Sequence, residues 1–430
     1  MQLRIEKLVY PGKALGRIER KIVFTEEGLP GELVEIEILK DRKNHLEART
    51  INILEPSSER IKPVCSHYLA CSPYQVMSYE LELKIKKMQL EEIFRQFPGQ
   101  EISSINFVAS PVIVGYRNKI KLSFDWSSQP PVLAYHRPGS MVEMIPVDNC
   151  VLVSDEVNRV IARMNNLLKG PSLPGIQHLE IRQSYWTREI LLIFYAEDEE
   201  SLEPVTELWI PALALEPLVT GATGAFLRRN RPYFINLYGR DYLEEKIQQT
   251  IFRYGAGSFF QVNPPLLERV IEPILDYLKN LGPVKLADLY SGIGTFGLLL
   301  AKEASEIMAV ESDPTNIFYL KKNLRINRIQ NLTVAEGQTE DWMEEVLDFQ
   351  PRAVILDPPR KGLAPEIIRR LKQKPTHLVF YLSCNPTTLA RDLRLFYPEY
   401  RTVELTGFDF FPRTPHLETL AVLKYEPKSH

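Results

Sequence analysis

The sequence predicts an α/β protein in which a doubly wound parallel sheet follows a small β-barrel and a mixed α/β region. Three observations support this fold class. After Phe252 the pattern strand, glycine turn, helix, strand is repeated. Residues 1–55 contain several short stretches in which apolar and polar residues alternate with period two. The region between them has no internal repeat and is broken by proline-rich turns.

These patterns divide the chain into three predicted domains. Residues 1–56 would form the barrel, 57–245 a central α/β domain and 246–430 the doubly wound sheet. A helix is predicted at about 78–97, because apolar residues recur on one of its sides, and we expect it to pack on the C-terminal domain.

The composition narrows the class of protein. The chain has 430 residues, of which 44% are hydrophobic and 25% charged, and these values exclude a disordered, collagen-like or coiled-coil protein. It has no long uncharged apolar run and no hydrophobic signal core, so we expect a cytoplasmic protein without membrane contact. The net charge is −3, so binding to nucleic acid would depend on local basic patches.

The strand and turn patterns of the first domain predict a small β-barrel. Val34, Ile36 and Ile38 alternate with acidic residues, which predicts a half-buried strand, and the turn at 29–32 precedes it. The basic loop 40–45 has two interpretations. It lies where small barrels often touch RNA, and it is equally typical of a solvated hairpin tip.

The C-terminal domain begins with a glycine turn. A short apolar strand, 285–290, runs into the turn 291–297 and then into a helix predicted at 298–304. The next strand ends in Glu311, nineteen residues after Gly292, where a carboxylate can hold the two hydroxyls of a ribose. This pair fits a nicotinamide dinucleotide and S-adenosylmethionine equally well.

Further reactive residues follow the next two strands. Asp357 comes directly after strand 353–356, and Cys384 after strand 378–382. Ligands of open α/β sheets bind at the carboxyl ends of the strands, so we expect Gly292, Glu311, Asp357 and Cys384 to converge on one crevice. Cys384 is either a nucleophile or an inert thiol, and its place before an Asn-Pro turn favours the nucleophile.

Basic residues occur in three groups. The groups are Arg117 with Lys119 and Lys121, Arg228 with Arg229 and Arg231, and Arg360 with Lys361. Each group alone is typical of a solvated face. Around one predicted crevice they favour contact with phosphates.

Six segments together carry a family resemblance. They are Gly31-Glu32, Tyr116–Lys119, Ser258–Asn263, Asp357–Gly362, Ser383–Pro386 and Phe411–Glu418. In this order the chain resembles the RNA uracil-5-methyltransferases, which form 5-methyluridine in ribosomal or transfer RNA from S-adenosylmethionine. The resemblance implies a Rossmann-like S-adenosylmethionine methyltransferase domain at the C-terminus and an OB-like TRAM barrel at the N-terminus.

The resemblance also implies roles for individual residues. Cys384 would add to carbon 6 of the uracil as a nucleophile, and Glu418 would remove the carbon-5 proton as a general base. Asp357 would accept a hydrogen bond near the base or position the thiol. The residues implied at the cofactor are Gln261, Tyr290, Gly292, Thr295, Glu311, Gln338 and Asp357.

RNA is the implied partner, with ribosomal RNA favoured over transfer RNA, and a monomer is expected. Tyr116, Arg117 and Lys119 are the implied RNA contacts. A stacked base cannot reach a thiol and a methyl donor together, so the target uridine must be single-stranded or flipped out.

The cysteines leave three outcomes open. Several members of the family hold a four-iron, four-sulfur cluster on four cysteines, and Cys65, Cys71 and Cys150 match three of these positions. The fourth position is Tyr74. The outcomes are a three-iron or labile cluster on three thiolates, a zinc site that adds His67 to the three cysteines, and three reduced thiols without metal.

Three rival functions are distinguishable. A methyltransferase acting on an exocyclic amine would use the segment 357–359 but would need neither Cys384 nor Glu418. A non-catalytic RNA-binding or RNA-folding factor would keep the cofactor pocket without turnover. A nicotinamide-dependent oxidoreductase would leave the thiol and the N-terminal barrel without a role.

Overall fold

A computed structural model describes residues 1–95 and 105–427. The first five strands close into a barrel in the order β1-β2-β3-β5-β4. They are β1 (Gln2–Val9), β2 (Lys13–Ile18), β3 (Lys21–Thr25), β4 (Leu33–Asp41) and β5 (His45–Glu55). Leu3, Ile5 and Val34 alternate with exposed or half-buried residues and fill the barrel. The predicted N-terminal barrel is therefore confirmed.

A helical segment connects the barrel to the rest of the chain. It contains α1 (Tyr68–Cys71), a 3-10 turn (Pro73–Val76) and α2 (Tyr79–Phe94). Ser78 caps α2 by accepting a hydrogen bond from the Leu81 N–H at 3.2 Å. The predicted helix ran to residue 97, and residues 96 and 97 lie outside the described residues.

The central part of the chain forms a seven-stranded sheet in the order β13-β12-β11-β10-β7-β8-β9. Its strands are β7 (Lys119–Asp125), β8 (Val132–His136), β9 (Met144–Pro146), β10 (Ile176–Gln183), β11 (Ile190–Ala196), β12 (Val219–Arg228) and β13 (Arg231–Gly239). Its helices are α3 (Asp155–Leu167) and α4 (Ile210–Leu213), with a 3-10 turn at Glu200–Leu202 and a π-turn at Val205–Trp209. Val157, Val160 and Ile161 of α3 are buried in the core of this part.

The C-terminal part is an eight-stranded sheet in the order β18-β17-β16-β19-β20-β22-β21-β6, which confirms the doubly wound fold. Its strands are β6 (Asn106–Val108), β16 (Val284–Leu289), β17 (Ala304–Glu311), β18 (Leu332–Glu336), β19 (Ala353–Leu356), β20 (Leu378–Ser383), β21 (Tyr400–Phe408) and β22 (Glu418–Tyr425). Strands β16 to β20 are parallel, and β22 is antiparallel to both of its neighbours.

Helices and a hairpin surround this sheet. The helices are α5 (Pro264–Leu281), α6 (Thr295–Leu299), α7 (Pro314–Ile326), α8 (Met343–Asp348), α9 (Pro365–Gln373) and α10 (Pro386–Phe396), with a 3-10 turn at Thr339–Trp342. The hairpin is β14 (Tyr242–Ile247) with β15 (Thr250–Gly255). None of the described helices is long and apolar enough to cross a membrane.

The structure changes three details of the predicted organisation. The predicted boundary between residues 245 and 246 falls inside β14, and β6, from the segment assigned to the central domain, joins the edge of the C-terminal sheet. The helix after the glycine turn is α6, which starts three residues earlier than predicted and is shorter. Residues 296–301 are all buried, so their apolar pattern does not mark where the helix ends.

Helix α2 is joined to the C-terminal domain by a buried ion network. Lys86 Nζ lies 2.7 Å from Glu82 and 2.5 Å from Asp409, and the three side chains are fully buried. The Tyr79 hydroxyl donates to Asp409 at 2.8 Å, and the Arg413 N–H donates to Glu82 at 2.8 Å. The network therefore fixes the segment that runs from β21 to β22 against α2.

Removing the cation from this network should destabilise the fold. In Lys86→Met, Asp409 loses its buried counter-charge and Glu82 keeps only Arg413, at 3.8 Å, so we expect the free energy of unfolding to fall by about 3–5 kcal/mol in urea titrations. Lys87→Met is the matched control, because Lys87 is exposed on the same helix, and it should change the value by no more than about 0.5 kcal/mol. Equal losses in the two variants would contradict a stabilising role for the network.

Candidate active site

The glycine turn after β16 brings backbone close to α7. Gly294 has φ +88, and a Cβ there would lie 2.2 Å from Leu320 Cδ1 and 2.3 Å from Leu298 Cδ1. Only glycine adopts this positive φ readily and also leaves room for the two leucine side chains. Thr295, a predicted cofactor residue, is buried as the first residue of α6.

Glu311 is oriented at the end of β17 by backbone donors. Its Oε2 accepts a hydrogen bond from the Gly292 N–H at 2.8 Å. Its Oε1 accepts from the N–H groups of Ser312 at 2.8 Å and Asp313 at 2.7 Å. A carboxylate oxygen can accept more than one hydrogen bond, so Glu311 retains acceptor capacity for ribose hydroxyls.

Asp288 is a residue that the sequence prediction missed. It is fully buried in β16, its Oδ2 accepts from the Gly297 N–H at 2.8 Å, and its Oδ1 has no partner among the described residues. Burial raises its pKa to about 7. Its sequence signal is an acid between the apolar residues Ala287 and Leu289, directly before a glycine turn.

The other predicted cofactor residues lie near this turn with different exposure. Tyr290 is half-buried with φ +64, and Gln338 is exposed at the start of the 3-10 turn after β18. The neighbouring Gly337 N–H donates to the Glu311 carbonyl at 2.9 Å, which places Gln338 beside the crevice.

Gln261 is held by the central sheet. It is buried, and its carbonyl accepts from Asn118 Nδ2 at 2.8 Å, while the Asn118 N–H donates to the Val262 carbonyl at 3.2 Å. Asn118 belongs to the segment 116–119 that was predicted to contact RNA. In the structure, Asn118 joins the segment 116–119 to the segment 258–263.

The Asn-Pro turn after β20 orders the surroundings of the thiol. Asn385 caps α10 by accepting from the Thr387 N–H at 3.2 Å, and its Nδ2 donates to the Arg360 carbonyl at 3.2 Å. The Thr388 hydroxyl donates to the same carbonyl at 3.3 Å. The turn therefore holds Arg360 next to Cys384, and the charge of Arg360 lowers the pKa of the Cys384 thiol.

Cys384, Glu418, Asp357 and Arg360 share one electrostatic environment. Burial raises the pKa of the Cys384 thiol to about 11; Glu418 and Asp357 raise it further and Arg360 lowers it. Burial and the charge of Asp357 hold the pKa of Glu418 well above its usual range. Burial also raises the pKa of Asp357 to about 7. The free site therefore favours the protonated forms of the Cys384 thiol and of the Glu418 carboxyl.

Glu418 reaches this site because all three parts of the chain hold the segment before it. It is the buried first residue of β22, paired with Phe408 of β21. Asn263 Nδ2 donates to the Phe410 carbonyl at 3.2 Å, and the Tyr116 hydroxyl donates to the Pro412 carbonyl at 3.1 Å.

The barrel also touches this site. The Tyr10 hydroxyl donates to the Cys384 carbonyl at 3.2 Å. Gly12 has φ +94, and a Cβ there would lie 2.5 Å from Pro415, so glycine is required where the barrel meets the segment before Glu418. The N-terminal barrel is therefore packed beside the thiol.

The residues predicted to contact RNA differ in their exposure in the structure. Tyr116 is only 1% exposed, and its hydroxyl donates to the Pro412 carbonyl and so positions the segment before Glu418. An RNA contact by Tyr116 stays a prediction. Arg117 Nε donates to the Tyr116 hydroxyl at 3.4 Å. Lys119 lies 3.4 Å from Glu180, and its side chain is 40% exposed. Lys119 thus remains accessible, whereas Tyr116 does not.

A second basic group is fully accessible. Arg228, Arg229 and Arg231 form the exposed turn between β12 and β13 and line a cleft of about 690 Å³ together with Tyr233. The Arg228 guanidinium lies 5.3 Å from the Tyr233 ring. Exposed guanidinium groups beside an aromatic ring suit a phosphate backbone with an unstacked base.

The cysteine cluster does not fit a four-thiolate iron–sulfur group. Cys71 and Cys150 lie close together beside His67, and Cys65 is a neighbour of His67 outside this group. Tyr74, at the fourth position, is buried against the barrel core, and its hydroxyl accepts from Gln89 Nε2 at 3.2 Å. Its side chain therefore cannot supply the fourth ligand.

The amino-acid sequence was compared with family models and with known proteins. The family model described as tRNA (uracil-5-)-methyltransferase matches residues 225–426, and that of the TRAM domain matches residues 1–51. An RNA methyltransferase of Caldanaerobacter subterraneus subsp. tengcongensis is 30% identical over 98% of this chain and 97% of its own. One from Synechocystis sp. is 29% identical over 99% of this chain and 95% of its own.

A solved structure shows the same fold along the chain. It is the Pyrococcus abyssi tRNA (uracil-54, C5)-methyltransferase in complex with S-adenosyl-L-homocysteine. Its TM-score is 0.78 at 23% sequence identity, and the match covers 98% of this chain and 99% of the other.

Because the pKa of the Cys384 thiol is raised, the rate at which it is alkylated should depend on the charge of the bound ligand. In the free protein, alkylation of Cys384 by iodoacetamide should still be rising at the highest pH at which the protein stays folded. The sulfonium charge of S-adenosylmethionine should stabilise the thiolate and move this curve to lower pH. S-Adenosylhomocysteine, which lacks that charge, is the matched control. Mass spectrometry of the Cys384 peptide gives the rates, and identical curves with both ligands would contradict the electrostatic account.

Proposed function

Because the chain belongs to the S-adenosylmethionine-dependent RNA (uracil-5-)-methyltransferase family, we propose that it methylates carbon 5 of a uridine through a covalent adduct with Cys384. The observation that carries the proposal is the shared site of Cys384, Glu418, Asp357 and Arg360. A nucleophile and a base within one buried site are what this reaction requires.

Cys384 performs the first step. Carbon 5 of uracil is too weak a nucleophile by itself, and addition of the thiolate to carbon 6 moves electron density onto carbon 5. The positive charge of Arg360 favours the charged form of the thiol. S-Adenosylmethionine supplies the methyl group when it is bound.

Glu418 performs the last step. After methylation, carbon 5 carries both the methyl group and its original proton, and that proton must leave before the bond between carbon 6 and sulfur can break. Burial makes Glu418 a strong proton acceptor once it is ionised. Removal of the carbon-5 proton re-forms the double bond and releases Cys384 as the thiolate.

The RNA would approach from the side where the barrel and the arginine turn lie. Tyr10 places the barrel at the thiol, and Phe234, on β13 after the arginine turn, packs against Gly257 just before the segment 258–263. Phosphate contacts at the turn 228–231 would hold the strand, and the target base must leave its stack to reach Cys384.

Replacing the base should trap the intermediate. We expect Glu418→Gln to accumulate methylated RNA bound covalently to the protein, because addition and methyl transfer proceed while proton removal does not. The measurement is a denaturing gel after incubation with S-adenosylmethionine and unmodified ribosomal or transfer RNA. Cys384→Ala should give neither adduct nor turnover.

Glu426→Gln is the matched control, since Glu426 is an exposed carboxylate near the end of the same sheet, and it should turn over normally without an adduct. Normal turnover in Glu418→Gln would show that another group is the base. Methylation by Cys384→Ala would favour the rival reaction at an exocyclic amine, which uses segment 357–359 without a nucleophile.

A further inference from the structure

A nitrogen-and-sulfur cluster lies where the linker after the barrel meets the central domain. His67 precedes α1 and Cys71 ends it, so both project from one helical turn. A ring nitrogen of His67 and the sulfur atoms of Cys71 and Cys150 all lie within 4.8 Å of one another. Cys65 is a neighbour of His67 but lies outside this group of three.

The imidazole of His67 points to a ligand. The residue is only 2% exposed, and its Nε2 is buried with no hydrogen-bond partner among the described residues. A buried polar atom without a partner costs free energy, and a metal ion is one way to satisfy it. Cys3His is a ligand set that tetrahedral zinc prefers, whereas a four-iron, four-sulfur cluster requires thiolates.

The backbone around the cluster is held in place independently of a metal. Gln75 Oε1 accepts from the N–H groups of Val64 at 2.9 Å and Cys65 at 3.3 Å. Asn158 Oδ1 accepts from the Cys150 N–H at 2.8 Å, and Asn158 Nδ2 donates to the Cys150 carbonyl at 3.1 Å. These bonds fix the two segments that carry the ligands.

The cluster borders solvent at Cys65. A cleft of about 550 Å³ opens beside this residue and is lined by Val151 and Asn158 among others. His67 and Cys150 are buried behind it, at 2% and 1% exposure.

We propose that His67, Cys71, Cys150 and Cys65 bind one zinc ion as a mononuclear structural site in place of an iron–sulfur cluster. The ion joins the linker after the barrel to the loop that carries Cys150. That loop supports Arg117, whose N–H donates to the Leu152 carbonyl at 2.9 Å. Zinc thus fixes the barrel relative to the central sheet and takes no part in methyl transfer.

The test is metal analysis of the full chain, purified anaerobically from cells supplied with both iron and zinc. We expect one zinc ion per chain, no acid-labile sulfide, and the intense visible bands of tetrahedral Co2+ after the zinc is exchanged for cobalt. Iron with stoichiometric sulfide would overturn the proposal. So would metal-free protein that gives no tetrahedral cobalt spectrum, whether its thiols are free or joined as a Cys71–Cys150 disulfide.

Variants locate the site. His67→Ala should lose the zinc, and His67→Cys should retain it, because a thiolate replaces the imidazole as ligand. Cys384→Ala is the matched control that removes a thiol elsewhere and should keep full zinc content. Full occupancy in His67→Ala would overturn the assignment of His67. The measurements on the unmodified chain decide the metal even if a variant fails to fold.

Discussion

The buried ion network of Lys86 with Glu82 and Asp409 is the constraint on which the rest of the site depends. Charges without access to water are tolerable only when they are paired and hydrogen-bonded, so this contact permits one arrangement of α2 against the segment after β21. That segment leads directly to Glu418. A contact in the linker after the barrel therefore sets the position of the proposed base.

The site is assembled from three parts of the chain, which explains why the match to known proteins extends over nearly its full length. The C-terminal sheet supplies Cys384 and Asp357 at the ends of its strands. The barrel contributes Tyr10, which donates to the Cys384 carbonyl, and the central part contributes Tyr116, which donates to Pro412. An RNA held by the barrel or the central sheet is thus held close to the thiol.

Much of this could be predicted from the sequence. Strand 353–356 was predicted with its exact bounds, and the fold class and the family are confirmed, because apolar strands that end in polar motifs are a strong local signal. Contacts between distant segments were not predictable. The burial of Tyr116, the network at Lys86 and the inward direction of His67 depend on tertiary packing, and Asp288 was missed because a lone acid in a strand has no periodic signal.

The most direct test of the central claim is nucleoside analysis of RNA methylated by the protein. Unmodified ribosomal and transfer RNA would be incubated separately with S-adenosylmethionine labelled in its methyl group, then digested to nucleosides. The account predicts that the label appears in 5-methyluridine from one of the two pools. Label in any other nucleoside would contradict it, because the account places the methyl transfer at carbon 5 of uracil.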